Sequence, residues 1–172
     1  MNLLSSDSMD SPAQRHFVSL ANDLQWINGN LETLGNPHHY INQQGQETLT
    51  VTEAEIAPWM FSGLPTSQAP TVIVRRSNIQ FLVFHDEEAI DQYTTPPQTA
   101  SLIINLPLVI VRGNAPLMSE AKMENFLDFW KGDFIPVSGA SFYYLAEAPV
   151  DLVSNAELVY LNARLIQSYV QA

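Results

Sequence analysis

Residues 11–35 have the sequence SPAQRHFVSLANDLQWINGNLETLG, and their pattern decides the fold class that the chain predicts. The opening Ser-Pro-Ala-Gln is typical of a capping box at the start of a helix. Apolar residues then recur at alternating spacings of three and four: Phe17, Leu20, Leu24, Ile27, Leu31 and Leu34. A glycine and a proline follow, as they do just beyond many helices. The stretch therefore predicts a helix over residues 12–34.

The narrow apolar seam of this predicted helix has to pack against another surface. It can pack on the chain's own sheet, or against the same helix of a second chain related by two-fold symmetry. The period of 3.5 residues is typical of a coiled-coil seam. We therefore expect self-association, such as a homodimer, or another protein partner. Four seam residues are expected to be buried in either case: Leu20, Leu24, Ile27 and Leu31.

The second half of the chain is rich in β-forming residues. Residues 71–75 and 79–84 flank a short polar turn and predict a hairpin. A second amphipathic helix is predicted near residues 119–131, where four apolar side chains share one face. Residues 157–170 fit either a helix or a pair of strands.

Together these elements predict an α+β fold. It has an N-terminal helix plus a strongly bent antiparallel sheet, or a small β-barrel, with one packed helix. We expect a flexible leader at residues 1–10, a helical segment and connector at residues 11–70, and a mainly β domain at residues 71–172. No internal repeat is apparent in the sequence.

Residues 126–142 contain the end of an amphipathic helix followed by DFIPVSGASF, and VYLN at residues 159–162 precedes a Leu-Ile pair at residues 165–166. This order of motifs over residues 71–170 resembles small bacterial β-barrel domains of unknown function. The resemblance implies a strongly bent antiparallel sheet and favours strands at residues 157–170. Its motifs are hydrophobic and structural, so no catalytic residue is transferred by it.

The composition excludes several classes of protein. The chain has 7 Lys and Arg against 18 Asp and Glu, a net charge of -11, and no cysteine. Thiol nucleophiles, disulfide scaffolds, iron–sulfur clusters and thiolate zinc sites are therefore excluded. Nucleic acids and anionic membranes require basic surfaces that this chain lacks. No apolar run is long enough for a membrane helix, and residues 1–10 lack the basic start of a secretory signal, so we expect a cytoplasmic protein.

The densest polar cluster is His85, Asp86, Glu87 and Glu88. These groups suit a hard metal ion or acid–base chemistry. The alternative, which we favour, is the solvated first turn of a short helix, where carboxylates suit the helix dipole. No second group of ligands stands at a usable spacing, so we expect no bound metal and no cofactor.

Three arginines close to predicted strand ends, Arg75, Arg76 and Arg112, form a candidate anion site. The alternative, which we favour, is that they pair with some of the many carboxylates on the surface.

The chain lacks the motifs of a serine nucleophile and of a glycine-rich phosphate loop. It also has a large supply of aromatic residues, which are common at protein interfaces. We therefore expect a non-catalytic interaction or regulatory module. The alternative is a small-molecule-binding protein or an enzyme with a pocket in the curved sheet.

Overall fold

A computed structural model of the chain describes residues 13–117 and 122–172, so the leader expected at residues 1–10 lies outside the described part. The strands are β1 (Ala13–Ala21), β2 (Gln25–Leu34), β3 (Thr48–Pro58), β4 (Ser67–Arg75), β5 (Phe81–Phe84), β6 (Thr99–Asn105), β7 (Val109–Pro116), β8 (Phe134–Tyr144), β9 (Asn155–Asn162) and β10 (Ser168–Gln171). All ten form one antiparallel sheet with the order β10-β6-β7-β8-β9-β5-β1-β2-β3-β4.

Helices are short in the part of the chain that the structure describes. They are α1 (Pro37–Ile41), α2 (Glu87–Asp91) and α3 (Phe126–Phe129). Single 3-10 turns span Met60–Ser62, Arg76–Asn78, Met123–Asn125 and Ala163–Leu165. No helix in residues 13–117 or 122–172 is long and apolar enough to cross a membrane.

The predicted N-terminal helix is wrong, because residues 13–34 form the β1–β2 hairpin. Asn22 closes its turn: the side-chain oxygen accepts hydrogen bonds from the backbone N–H groups of Leu24 (2.8 Å) and Gln25 (3.0 Å). Leu20 then lies opposite Ile27 across the hairpin. The α+β assignment is therefore incorrect, and the protein is mainly an antiparallel sheet.

The helical seam proposed as an interface is absent as well. Leu20, Ile27 and Leu31 are fully buried in the core of the chain itself. Leu24 lies on the hairpin turn and is 68% exposed, so it is not part of that core. The pairing of two helices across a two-fold axis is thus ruled out by the fold.

Four further predictions are tested by the structure. The strands at residues 71–75 and 79–84 exist but do not form a hairpin, because β4 pairs with β3 while β5 lies between β1 and β9. The helix predicted near residues 119–131 is reduced to α3 and one preceding 3-10 turn, and residues 119–121 lie outside the described part. Residues 157–170 contain parts of two strands, β9 and β10, which are separated by a 3-10 turn and do not pair with each other. Within residues 13–117 and 122–172, the sheet ends at β4 and β10 and does not close into the predicted barrel.

The structure reveals an internal repeat that the sequence analysis did not find. Unit 1 contains β1, β2, α1, β3, β4 and β5, and unit 2 contains β6, β7, α3, β8, β9 and β10. Within each unit the four longer strands form a meander, and the last short strand returns to pair with the first. Ala54 pairs with Ala69 in unit 1, as Ala140 pairs with Ala156 in unit 2.

Both units contain the same bulge. The register shifts between Asn28 and Asn30 in β2, and between Arg112 and Asn114 in β7, with a glycine at the centre of each shift. A Cβ atom on Gly29 would lie 2.5 Å from Val51 Cγ1, and one on Gly113 would lie 2.6 Å from Val137 Cγ1. Glycine is required at both positions because the opposing strand approaches so closely.

The same backbone hydrogen bonds occur at equivalent places near the ends of the two units. Arg76 N donates to Glu47 O (2.8 Å) in unit 1, as Ala163 N donates to Asp133 O (2.8 Å) in unit 2. Just after the last strand of each unit, His85 N donates to Phe17 O (3.0 Å) and Ala172 N donates to Ser101 O (2.9 Å). The repeat therefore extends from the first strand of each unit to its last.

β5 and β9 join the units as the two central strands of the sheet. Alternate side chains of these strands point to opposite faces. Phe81, Val83, Val159 and Leu161 pack in one hydrophobic core, which contains most of the apolar residues of unit 2. Leu82, Phe84, Leu158 and Tyr160 pack in the other core, which belongs mainly to unit 1. The two cores thus share one wall.

Candidate functional site

A polar cleft of about 350 Å³ lies where unit 1 meets unit 2, and we call it the arginine cleft. Its lining residues come from the turns after β4 and β9 and from the segments before β3 and β8: Gly45, Gln46, Glu47, Arg75, Arg76, Ser77, Asp133, Asn162 and Arg164. Three of the seven Lys and Arg residues of the chain are in this lining, together with two acids. The cleft is therefore a cationic region on a strongly acidic protein.

Arg76 is the buried anchor of the arginine cleft and is only 8% exposed. One arm of its guanidinium donates to the carbonyls of Ile41 (3.2 Å) and Gln43 (2.6 Å), and the other donates to Asp133 Oδ2 (2.6 Å). Arg164 reaches the second oxygen of the same carboxylate at 3.1 Å and remains 77% exposed at its side chain. Asp133 is thus shared by two arginines, one buried and one exposed.

Asn162 holds the two turns of the cleft against each other and is 1% exposed. Its side-chain amide donates to the carbonyls of Ser77 (3.2 Å) and Ile79 (2.9 Å) across the junction. Its oxygen accepts from Arg164 N (3.0 Å), which caps the turn that follows β9. The position of the exposed arginines is therefore set by a buried polar contact between the units.

The lining groups include donors that an oxyanion could use. Arginine forks recognise planar oxyanions, and Arg75 and Arg164 present theirs to solvent. The hydroxyl in the lining belongs to Ser77, whose Oγ lies 3.4 Å from Asn78 Oδ1. None of the nine lining residues is a histidine that would take a proton from it.

The predicted trio of arginines is only partly brought together. Arg75 and Arg76 line the cleft, whereas Arg112 lies in β7 opposite Ile103 and Ser141 and is not in the lining. Sequence reasoning missed Asp133, Asn162 and Arg164. The turns after β4 and β9, which contain Arg76 and Arg164, occupy equivalent places in the two units, but their residues become neighbours only in the fold.

The side chains of residues 85–88 point in different directions. Asp86 accepts from the backbone N–H of Phe17 (2.9 Å) and lies 3.2 Å from His16 Nδ1. Glu87 and Glu88 are exposed in the first turn of α2. Among the residues that the structure describes, no group of three or more His, Cys, Asp or Glu is placed to hold a metal ion.

The fourth member of that cluster, His85, contacts a serine in a way that resembles a catalytic pair. Its Nε2 lies 2.7 Å from Ser19 Oγ, but Ser19 is 2% exposed and cannot meet a substrate. Ser19 Oγ donates to Asn28 Oδ1 (2.7 Å), so it accepts from His85 Nε2–H. This direction is opposite to that of an activated serine, and the pair is structural.

His38 links three elements inside the core of unit 1. Its Nε2 donates to the carbonyl of Ala89 (2.7 Å), and its Nδ1 accepts from the hydroxyl of Tyr160. Burial lowers the pKa of His38, against a smaller raising effect of the Ala89 hydrogen bond. Burial also raises the pKa of Tyr160. Both groups are therefore neutral at pH 7, as this pattern of donor and acceptor requires.

The two end strands of the sheet form the other candidate sites, and we call them the open edges. β4 pairs only with β3, and β10 pairs only with β6, among the strands of residues 13–117 and 122–172. Residues 71–74, TVIV, are uncharged and β-branched, and Ile73 is 70% exposed. β10 has the uncharged sequence SYVQ, in which Val170 is 54% exposed. Charge and proline are what block such edges, and in β4 Pro70 and Arg75 lie on either side of residues 71–74 without interrupting them.

The direction of the free backbone groups follows from the neighbouring hydrogen bonds. Along an antiparallel strand, the backbone N–H and C=O groups of successive residues point alternately to the two neighbouring strands. Because Arg76 N donates to Glu47 O, the backbone groups of Val74 and Val72 also point toward β3. Ile73, Thr71 and Arg75 therefore present their N–H and C=O groups at the open edge of β4.

Comparison of the chain with family models, with curated proteins and with solved structures finds no match. The resemblance to small bacterial β-barrel domains therefore stays a prediction from the sequence.

Proposed function

We propose that the chain is a non-catalytic interaction module that binds protein strands at its open edges. The observation that carries this proposal is the uncharged segment at residues 71–74 of β4, in which Thr71 and Ile73 are exposed. Among the residues that the structure describes, the outward backbone groups of these two residues have no partner strand. Strand addition uses such groups for affinity and adjacent side-chain positions for selectivity. The chemistry of the arginine cleft and the burial of Ser19 also favour binding over catalysis.

A peptide library displayed on phage tests this proposal. We expect the protein to select extended peptides with alternating apolar residues, because these add to β4 as an eleventh strand. The substitution Ile73→Pro should abolish their binding, since it removes an outward N–H group without removing a hydrogen bond to β3. Binding would be measured by fluorescence anisotropy with synthetic copies of the selected peptides.

The matched control is Ile73→Thr, which keeps the backbone donor and the branched Cβ. It should weaken binding by no more than about tenfold, or roughly 1.4 kcal/mol, through the lost apolar contact. If no peptide is selected, or if Ile73→Pro binds the selected peptides as well as the unmodified protein, the proposal is wrong.

Binding of a small oxyanion in the arginine cleft is the second candidate function. It is favoured by the concentration of three arginines at one place in a chain of net charge -11. Inorganic phosphate at constant ionic strength should then raise the melting temperature in a saturable way. The gain is about 1.4 kcal/mol when phosphate is tenfold above its dissociation constant.

Arg164→Gln should remove the phosphate effect, because Arg164 has an exposed fork and only one oxygen of Asp133 as its partner. Arg112→Gln serves as the control, since this arginine lies outside the cleft and its loss should leave the effect intact. Equal shifts in both variants would mean that phosphate acts by a general salt effect.

A further inference from the structure

The internal repeat indicates what the open edges bind. At the centre of the sheet, the last strand of unit 1 (β5) pairs with the fourth strand of unit 2 (β9). The equivalent strands are the last strand of unit 2 (β10) and the fourth strand of unit 1 (β4), and these are the two open edges. We infer that β10 of one copy of this chain pairs with β4 of a second copy, so that the protein assembles head to tail. This inference rests on the proposed function, because it names the partner that the edges bind.

The central junction predicts the register of this contact. β5 and β9 align Phe81 with Leu161, Leu82 with Tyr160 and Val83 with Val159. Residues of β10 are equivalent to residues of β5, and residues of β4 are equivalent to residues of β9. The three pairs expected between two copies are therefore Ser168 with Val74, Tyr169 with Ile73, and Val170 with Val72. The contact is antiparallel, like every other pair in the sheet.

The free hydrogen-bonding groups support the same register independently. In β10, Ala172 N donates to Ser101 O, so Val170 and Ser168 also face β6, and Tyr169 presents its groups outward. In β4, Ile73 presents its N–H and C=O groups outward. The predicted register places Tyr169 directly opposite Ile73, as Leu82 lies opposite Tyr160 at the central junction. There Asn162 N donates to Gln80 O (2.9 Å), and alternation makes Leu82 and Tyr160, two residues further along, the next hydrogen-bonded pair.

The side chains are also compatible. The paired segments contain no charged residue, whereas two copies of a chain with net charge -11 repel each other over most of their surfaces. Ile73 and Val170 are 70% and 54% exposed, and both become covered in the contact. The corresponding residues of the central junction, Tyr160 and Val83, are 1% and 2% exposed. The side chains at the open edges are therefore apolar, like those of the central junction, but they are still exposed to solvent.

The interface is heterologous, since the two surfaces in contact differ. Such a contact generates a closed ring or an open filament, depending on the rotation between neighbouring copies. Light scattering coupled to size exclusion at about 100 μM, far above a micromolar dissociation constant, should give a mass at least twice 19.2 kDa.

Two proline variants test the contact from both sides. Ile73→Pro blocks the β4 edge and Tyr169→Pro blocks the β10 edge, and each alone should give a monomer. Each variant retains the edge that the other has lost. An equimolar mixture should therefore form a dimer of about 38 kDa, twice the mass of the chain, and nothing larger.

Cysteine cross-linking tests the register without proline, in a chain with no cysteine of its own. Val72→Cys with Val170→Cys places the two thiols in a pair without direct hydrogen bonds, where Cβ atoms are close enough for a disulfide. Copper-catalysed oxidation by oxygen should give covalent oligomers. The control, Ile73→Cys with Val170→Cys, directs the thiols to opposite faces and should give none.

A wild-type chain that is monomeric at about 100 μM, or equal cross-linking in both cysteine variants, would overturn self-assembly. If such a chain still binds selected peptides through β4, the proposed function stands and the partner is another protein. If the peptides also fail to bind, both the proposed function and the self-assembly are wrong.

Discussion

The substitution Arg76→Leu is expected to lower the free energy of unfolding by about 3 kcal/mol, the lower end of the range for breaking a buried ion pair. The guanidinium fills a buried position between α1 and Asp133 and donates three hydrogen bonds there. Its loss leaves the carbonyls of Ile41 and Gln43 and one oxygen of Asp133 without this donor. The effect is not larger because Arg164 still reaches the other oxygen. Urea denaturation followed by tryptophan fluorescence would measure the change.

Arg112→Leu provides the control for this prediction. It removes the same charge from an exposed position in β7, and its effect should stay within about 0.5 kcal/mol. Arg76→Lys should lie between the two, because lysine keeps the charge but cannot reproduce the fork. Equal stability of the two leucine variants would show that the buried hydrogen bonds of Arg76 contribute nothing.

The second large effect is expected at the two bulges. Gly29→Ala and Gly113→Ala should each destabilise the protein by about 2–3 kcal/mol through overpacking. The added methyl group would lie 2.9 Å from Thr52 O in the first case and 3.0 Å from Ser138 O in the second, so the backbone itself has to move. Thermal denaturation should show similar losses for both variants, because the two environments are equivalent.

Gly45→Ala separates this overpacking from the cost of backbone conformation. Gly45 has a φ of +81°, and a Cβ atom there would have no neighbour within 4 Å. Its substitution should therefore cost only about 1–2 kcal/mol, the penalty of the left-handed conformation. A loss at Gly29 no greater than that at Gly45 would contradict the packing argument.

The N-terminal segment shows why the fold was only partly predictable. Its seam of leucines fits a helix, but Val18, Ala21 and Trp26 lie off the seam and are also fully buried. A segment that is apolar on both faces is typical of a central strand, which is covered on each side. The Asn22-Asp23 pair between its two apolar halves was the available turn signal. The strands β4 and β5 were more evident, because residues 71–75 and 79–84 are rich in β-forming residues and flank a short polar turn.

The repeat was hidden because the units share backbone geometry more than residue identity. A glycine followed by an asparagine survives in both bulges, at Gly29 and Gly113, but most other equivalent positions differ. The arginine cleft was partly predicted from the Arg75-Arg76 pair. Its remaining groups, Asp133 and Arg164, are distant in sequence and meet the pair only through the contact of β5 with β9. Such a meeting is a property of topology and not of local pattern.

The shared wall of β5 and β9 has a consequence for the cooperativity of the molecule. If unit 2 were to melt alone, β9 would withdraw Leu158 and Tyr160 from the core of unit 1. If unit 1 were to melt alone, β5 would withdraw Phe81 and Val83 from the core of unit 2. Neither unit keeps a complete hydrophobic core without the other. Unfolding of one unit therefore also lowers the stability of the other. We therefore expect the two similar halves to unfold together in one two-state transition.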